Sequence, residues 1–412
     1  MRKKLALIES VGLAFGNQYA NHFALTARVI GEISIEQLRA ALVKVCQRHL
    51  FLAARVVTTD DGSWYETDGV ADIAIIPFTG EWTDKIVEEL PRRFDNAMEP
   101  QLSVLLGTGA EFTDLVVILD HAIADGLSGA YLLRDILHYI ANPDEVVIPL
   151  DVVPPFENIL PPVDLSQIER ASLPPPVQNS KADSPPPRTL FVVAWSLTEV
   201  QTSALVACCR QQGVTVHAAL CAAFLSVSAR LDSSGSTRRS VSSPVSVRER
   251  LVRPVSEQIG TYINSGIRTY LDCTPGRDFW DMARDVKSSL LNTTSDENVF
   301  KPIYEFHEMI KSFALSDATF DFTEAPPRAE YDFSITNLGR LDFPVTYGAL
   351  TLQAIYGPVL NSVIDETIVG VATVGGKLTF SLVSRPSMMS RSTAENIRDR
   401  VNHTLADVIG WE

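Results

Sequence analysis

The chain has 412 residues, 46% apolar and 21% charged, with a formal net charge of −15. That length favours two domains, and the apolar share is enough to fill sizeable cores. Nucleic-acid phosphates and anionic membrane surfaces both require clustered Lys and Arg, so the acidic balance argues against either as a partner.

In chain order, Met1-Arg-Lys-Lys-Leu-Ala-Leu-Ile opens like a secretory signal. Glu9 and Ser10 break its apolar run, and no small-residue cleavage site follows cleanly. No apolar run approaches the ~18 residues a membrane span needs, so a cytoplasmic location without a membrane span is expected. Ser34-Ile-Glu-Gln37 is a capping box opening a helix to about His49, with Leu38, Ala41, Leu42 and Val45 at helical spacing. Short strands are expected over 51–57, 73–76 and 102–106. A strand over 115–119 is apolar on both faces, as a central strand would be. A helix carrying Leu132, Leu133, Ile136, Leu137 and Ile140 runs from Gly126 to near Asn142-Pro143.

The segment 153–187 holds Pro154-Pro155, Pro161-Pro162, Pro174-Pro175-Pro176 and Pro185-Pro186-Pro187. Proline fixes φ and removes a donor, so this stretch reads as an extended connector between domains over 1–152 and 188–412. Beyond it, a strand is expected over 189–195, then helices over 198–211 and 215–231, the second apolar almost all round. Strands over 241–247, 331–336, 351–355, 367–371 and 378–383 and a helix over 393–408 complete the reading. Cys46, Cys208, Cys209, Cys221 and Cys273 contain no C-x-x-C pair, which argues for reduced thiols over a zinc site or a disulfide framework.

Three stretches carry chemistry. The first, Leu115-Val-Val-Ile-Leu-Asp120-His121-Ala-Ile-Ala-Asp125-Gly126, places an imidazole at the end of a buried strand, where α/β proteins keep their ligands. Such a ring suits a general base, with Asp125 shaping the turn and the Gly126 amide available to developing oxyanion charge. The plain alternative is a satisfied core histidine. The second stretch is Pro244-Val-Ser-Val-Arg248, whose arginine is a candidate partner for Asp125 across the two halves, making Asp125 a scaffold. The third is Asp332-Phe-Ser334-Ile-Thr-Asn337-Leu-Gly339, in which Ser334, Thr336 and Asn337 are candidate donors to a reacting carbonyl. An ordinary strand followed by an Asn-Leu-Gly turn is the favoured explanation of this third stretch taken alone.

Together these stretches resemble the thioester-dependent acyltransferase superfamily, whose signature is H-x-x-x-D-G, here His121 to Gly126. The resemblance is closest to the free-standing, polyketide-associated dimycocerosyl-transferase type. It rests on the motif, on Pro244-Val-Ser-Val-Arg248, and on Trp195-Ser-Leu-Thr-Glu-Val-Gln with the apolar helix following. Two departures narrow it. Condensation domains usually carry two adjacent histidines, whereas Asp120 precedes His121 here, and the D-F-G-W-G stretch of plant-type members is absent.

The resemblance implies two chloramphenicol-acetyltransferase-like α/β sandwich domains meeting in a V, with a channel at their interface and second-half segments completing the first sheet. It implies direct O-acyl transfer to an alcohol acceptor such as a lipid or polyketide, forming an ester. The donor is acyl-CoA or an acyl carrier protein, whose phosphopantetheinyl thioester is a co-substrate, with no cofactor or metal. The implied site has His121 as base, Gly126 with Asn337 or Ser334 at the oxyanion, and Asp125 with Arg248 as structural support, in a monomer. An amide-forming condensation enzyme and a non-catalytic carrier-protein-binding module are the alternatives.

Overall fold

The computed structural model describes residues 1–16, 20–60, 62–70, 72–109, 111–163, 189–296, 298–314 and 328–411. The first half contains β1 (Arg2–Lys4), α1 (Leu7–Gly16), β2 (His22–Ile30), α2 (Ile35–Arg48), β3 (Arg55–Thr59), β4 (Gly62–Glu66), β5 (Ala74–Phe78) and α3 (Trp82–Glu89). It continues with β6 (Leu102–Thr108), β7 (Thr113–Asp120) and α4 (Gly126–Ala141). The second half begins with β8 (Phe191–Ser196), α5 (Glu199–Gln211), α6 (Val216–Leu231), β9 (Arg238–Ser242), β10 (Val245–Ser246), β11 (Ile263–Asn264) and β12 (Arg268–Asp272). It ends with α7 (Phe279–Thr293), α8 (Lys301–Ala314), β13 (Phe333–Leu341), β14 (Thr346–Tyr347), β15 (Leu350–Leu360), β16 (Ile368–Val374), β17 (Lys377–Ser384) and α9 (Arg391–Ile409).

Two six-stranded mixed sheets organise these elements, in the orders β14-β15-β2-β7-β6-β5 and β12-β9-β13-β16-β17-β8. The α/β class is as expected. β7 is buried along its whole length because it divides two cores. Leu115, Val117 and Leu119 point into one with α2 and α4, while Val116 and Ile118 point into another with Trp82 and Ile86 of α3. α2 opens on its capping box as expected, with Ser34 accepting from the Gln37 amide at 3.1 Å. α6 is the apolar centre of the second core, its residues from Ala218 to Leu225 all buried against α7, α9 and the second sheet.

The first sheet is not built from the first half alone. β15, from far down the chain, pairs antiparallel with β2, so residues Thr351 to Leu360 lie beside Phe23 to Ile30. The two sheets come together where β15 passes β16. A Cβ placed on Gly370 would fall 2.3 Å from the Pro358 carbonyl oxygen, so only a glycine admits this approach.

Two expectations need correction. The single strand expected over 241–247 is two, because Pro244 has no amide to donate to a ladder. β9 stops at Ser242, and β10 pairs with β11 instead. The described part of the Pro-rich segment, 153–163, is not a free extended spacer. Phe156–Asn158 forms a 3₁₀ turn, and Val153, Phe156, Ile159 and Leu160 are buried with Val247, Leu251 and Phe300. Enough apolar side chains lie among these prolines to anchor the chain. The rest of the expected connector, 164–187, lies outside the described residues. No single helix among the described residues is long and apolar enough to cross a membrane; the bent pair α5 and α6 meets the length and composition test only together.

Candidate active site

β7 ends at Asp120, and His121 follows in the turn that leads into α4. The turn is tied on several sides. His121 N donates to Asn21 O (2.8 Å), and Thr261 Oγ1 donates to His121 O (2.9 Å). The imidazole is half-buried and packs 5.2 Å from the Phe23 ring. Its Nδ1 lies 2.8 Å from Ala124 O. A carbonyl only accepts, so Nδ1 carries the proton and the lone pair sits on Nε2.

Asp125 is the N-cap of α4, fully buried, with its side chain accepting from Ser128 N at 2.8 Å. Arg248 Nη2 donates to Asp125 Oδ1 (2.7 Å), and Tyr262 N donates to Oδ2 (3.0 Å). Arg248 also donates through Nη1 to Gln258 O (2.7 Å) and through Nη2 to Ser128 Oγ (2.6 Å), with its guanidinium 4.8 Å from the Tyr262 ring. Burial alone would raise the Asp125 carboxyl. The Arg248 charge and the donors Ser128 and Tyr262 outweigh it and hold the group below its ordinary value. The ion pair therefore joins the start of α4 to the second-half loop that runs from 256 to 262.

Asp120 turns away from the imidazole. Its Oδ1 accepts from Ala122 N (2.8 Å), and its Oδ2 lies 3.4 Å from Nε2 of His22, its register partner on β2. Successive strand residues face opposite sides, so the carboxylate is engaged in a buried pair away from His121.

Gly126 is the first residue of α4, so its amide has no intrahelical acceptor and points out of the helix start. A Cβ there would fall 2.7 Å from both Leu338 Cδ2 and Pro358 Cγ, so the second half packs directly on this backbone. Ser334 and Asn337 both lie on β13 but three residues apart, hence on opposite faces. Ser334 is on the face that continues through Leu338 toward Gly126, and its amide donates to Thr367 O at 2.9 Å. Asn337 lies on the face of Phe333 and Ile335, which fill the α6 core, and its Oδ1 accepts from Gly339 N (2.8 Å). The fold thus brings His121, Asp125, Gly126, Arg248 and the Ser334 face of β13 into one region, and turns Asn337 away.

Sequence reading missed Ser128, Thr261 and Tyr262, which no motif marks. Two cavities border the region. One is lined by Lys3, Arg48, Tyr65, Ile123, Gln258 and Ile259. The other includes Ser362, Glu366, Ser384 and Arg385.

Residues 186–383 match the sequence model of the family described as phthiocerol/phthiodiolone dimycocerosyl transferase C-terminus. The matched segment contains Arg248, Ser334, Asn337 and Glu366; His121 to Gly126 precede it. No curated protein matches the chain by sequence. Among solved structures, the chain is similar to polyketide synthase associated protein 5 from Mycobacterium tuberculosis, at 18% identity and a TM-score of 0.66, covering 99% of this chain and 98% of that one. It is similar to the trichothecene 15-O-acetyltransferase from Fusarium sporotrichioides at 11% identity and a TM-score of 0.70, covering 99% and 95%. It is also similar to the epimerization domain from the third module of tyrocidine synthetase B at 14% identity and a TM-score of 0.66, covering 100% and 97%. At these identities the likeness to solved structures is one of fold, and it runs end to end. The family match thus lies in the second half, over 186–383, while the fold is shared with these solved structures over the whole length.

Proposed function

We propose that the protein is an O-acyltransferase that moves an acyl group from a CoA or acyl-carrier-protein thioester to an alcohol acceptor, with His121 as the general base. The observation that carries this reading is the half-buried imidazole whose Nδ1 is held by Ala124 O, which presents Nε2 as the base. The acceptor hydroxyl gives its proton to Nε2 as its oxygen attacks the thioester carbonyl. The Gly126 amide at the start of α4 supports the tetrahedral oxyanion, aided by the positive end of the helix. Collapse of that intermediate breaks the carbon–sulfur bond, and the imidazolium returns its proton to the leaving sulfur. Asp125 and Arg248 touch neither substrate; their pairing keeps the turn in place.

The trichothecene acetyltransferase named above supports transfer to oxygen, and the polyketide-associated neighbour supports a carrier-borne or CoA-borne donor. General-base assistance is typically worth 10²–10⁴-fold, or roughly 3–5 kcal/mol. His121→Ala should therefore cut ester formation from a panel of acyl-CoA donors and alcohols by about 10²-fold or more, with an unchanged circular dichroism spectrum. Near-wild-type ester formation in a folded His121→Ala protein would remove the proposal.

A further inference from the structure

The loop 256–262 carries one charged side chain, Glu257, and two arginines of the first half grip it. Arg134 of α4 donates to both carboxylate oxygens, through Nη1 to Oε1 (2.6 Å) and through Nη2 to Oε2 (2.9 Å). Arg48, the last residue of α2, adds a bond from Nη2 to Oε2 (2.7 Å). Asp135 fixes both arginines, accepting from Arg48 Nε and from Arg134 Nε at 2.9 Å. Hydrogen bonds from Arg134 hold the Glu257 carboxyl below its ordinary value against the effect of burial, so the clamp is charged at neutral pH. A bidentate arginine pair of this kind fixes geometry as well as charge.

The clamp seats a backbone path to the imidazole. Ser256, just before Glu257, has a φ of 29°, a left-handed conformation that a residue other than glycine keeps only where its surroundings impose it. Further along, Gly260 O accepts from Asp125 N (3.1 Å), and Thr261 Oγ1 donates to His121 O (2.9 Å). Ala124 and Asp125 share one peptide group. Its carbonyl accepts from His121 Nδ1 at 2.8 Å, while its amide is the one that meets Gly260. A peptide is planar and trans, so these bonds hold its plane from opposite edges, and each polarises the group for the other. The loop therefore sets which way Ala124 O faces, and with it which ring nitrogen of His121 carries the proton.

Resting on the base role of His121, we infer that Glu257 is a positioning residue for that base. Its ion pairs with Arg134 and Arg48 seat the loop whose Gly260 carbonyl and Thr261 hydroxyl lock the histidine turn in the tautomer that leaves Nε2 free. Glu257 exchanges no proton and acts only through the loop.

The test is histidine-¹⁵N NMR of the full chain at a pH where the ring is neutral, with the His121 signal assigned by its loss in His121→Ala. The wild type should show the Nδ1-protonated form. Glu257→Gln keeps the size of the side chain but removes its charge. It should admit the Nε2-protonated form as a second population and speed hydrogen exchange across 121–126 by about tenfold or more. In acyl-transfer assays its kcat should fall about tenfold with KM little changed, and Glu257→Asp, which keeps the charge, should recover part of that loss. Arg134→Lys keeps the positive charge but loses the planar fork, and should move tautomer and exchange in the same direction by less. A clamp with a structural role alone would lower the melting temperature and leave the ring as it is. Wild-type tautomer and exchange in folded Glu257→Gln, or in Arg134→Lys should the first variant not fold, overturn the inference. A changed tautomer, when the wild type transfers no acyl group, would sink the base reading and leave the coupling of Glu257 to the ring standing.

Discussion

Arg248 is a single cation that four separate features of the site depend on. It neutralises Asp125, meets Ser128, accepts a place between the Tyr131 and Tyr262 rings, and holds the carbonyl of Gln258. Removing one partner of a buried pair leaves an uncompensated charge, which costs about 3–5 kcal/mol. Arg248→Ala should destabilise the chain by that order in urea unfolding, with activity falling as well; an unchanged midpoint would remove the pair from the account. The pH dependence follows from the same carboxyl. Asp125 is held below its ordinary value of 3.8 in the folded protein, so its contribution is fully present above that pH and is lost as pH falls through the lower, folded value. Asp125→Asn should therefore flatten the acid limb of the stability–pH curve below about pH 4, read as urea midpoints between pH 2 and 7.

The helix α4 begins where the second half presses on it. Ala is ordinarily a better helix former than Gly, yet a methyl group on Gly126 would meet Leu338 and Pro358. Gly126→Ala should cost about 1–3 kcal/mol of stability through overpacking, and depress turnover by displacing the amide. A stabilised Gly126→Ala protein in thermal melts would show that the contact yields. At this scale the sequence is legible wherever one pattern dominates. The run from 115 to 126 announces a buried strand, a turn and a helix, and Ser34 with Gln37 announces α2. β2 escaped reading because Thr26 and Arg28 interrupt its apolar run, although Thr26 is buried and Arg28 is neutralised by Asp114 at 2.8 Å. α7 escaped because its buried residues Phe279, Met282, Ala283 and Val286 are separated by charged ones. Thr261 and Tyr262 were invisible for a different reason: nothing local marks them, and their bonds to the histidine turn exist only once the second half packs on the first.

At the level of the molecule, a boundary drawn near 152 divides the sequence but not the fold. The first sheet needs β15 to cover β2, and without it β2 presents a row of unpaired backbone groups. A fragment ending at residue 163 should show no cooperative thermal transition by circular dichroism, and adding the 189–412 fragment should restore one. A sharp transition in the first fragment alone would mean that β15 is dispensable. The same crossing orders events during synthesis. When the ribosome has released the histidine turn, the chain has yet to make Arg248 and Thr261, which hold it. On the proposed function, a half-molecule holds its base without the groups that fix it in place, beside an open strand edge that invites aggregation.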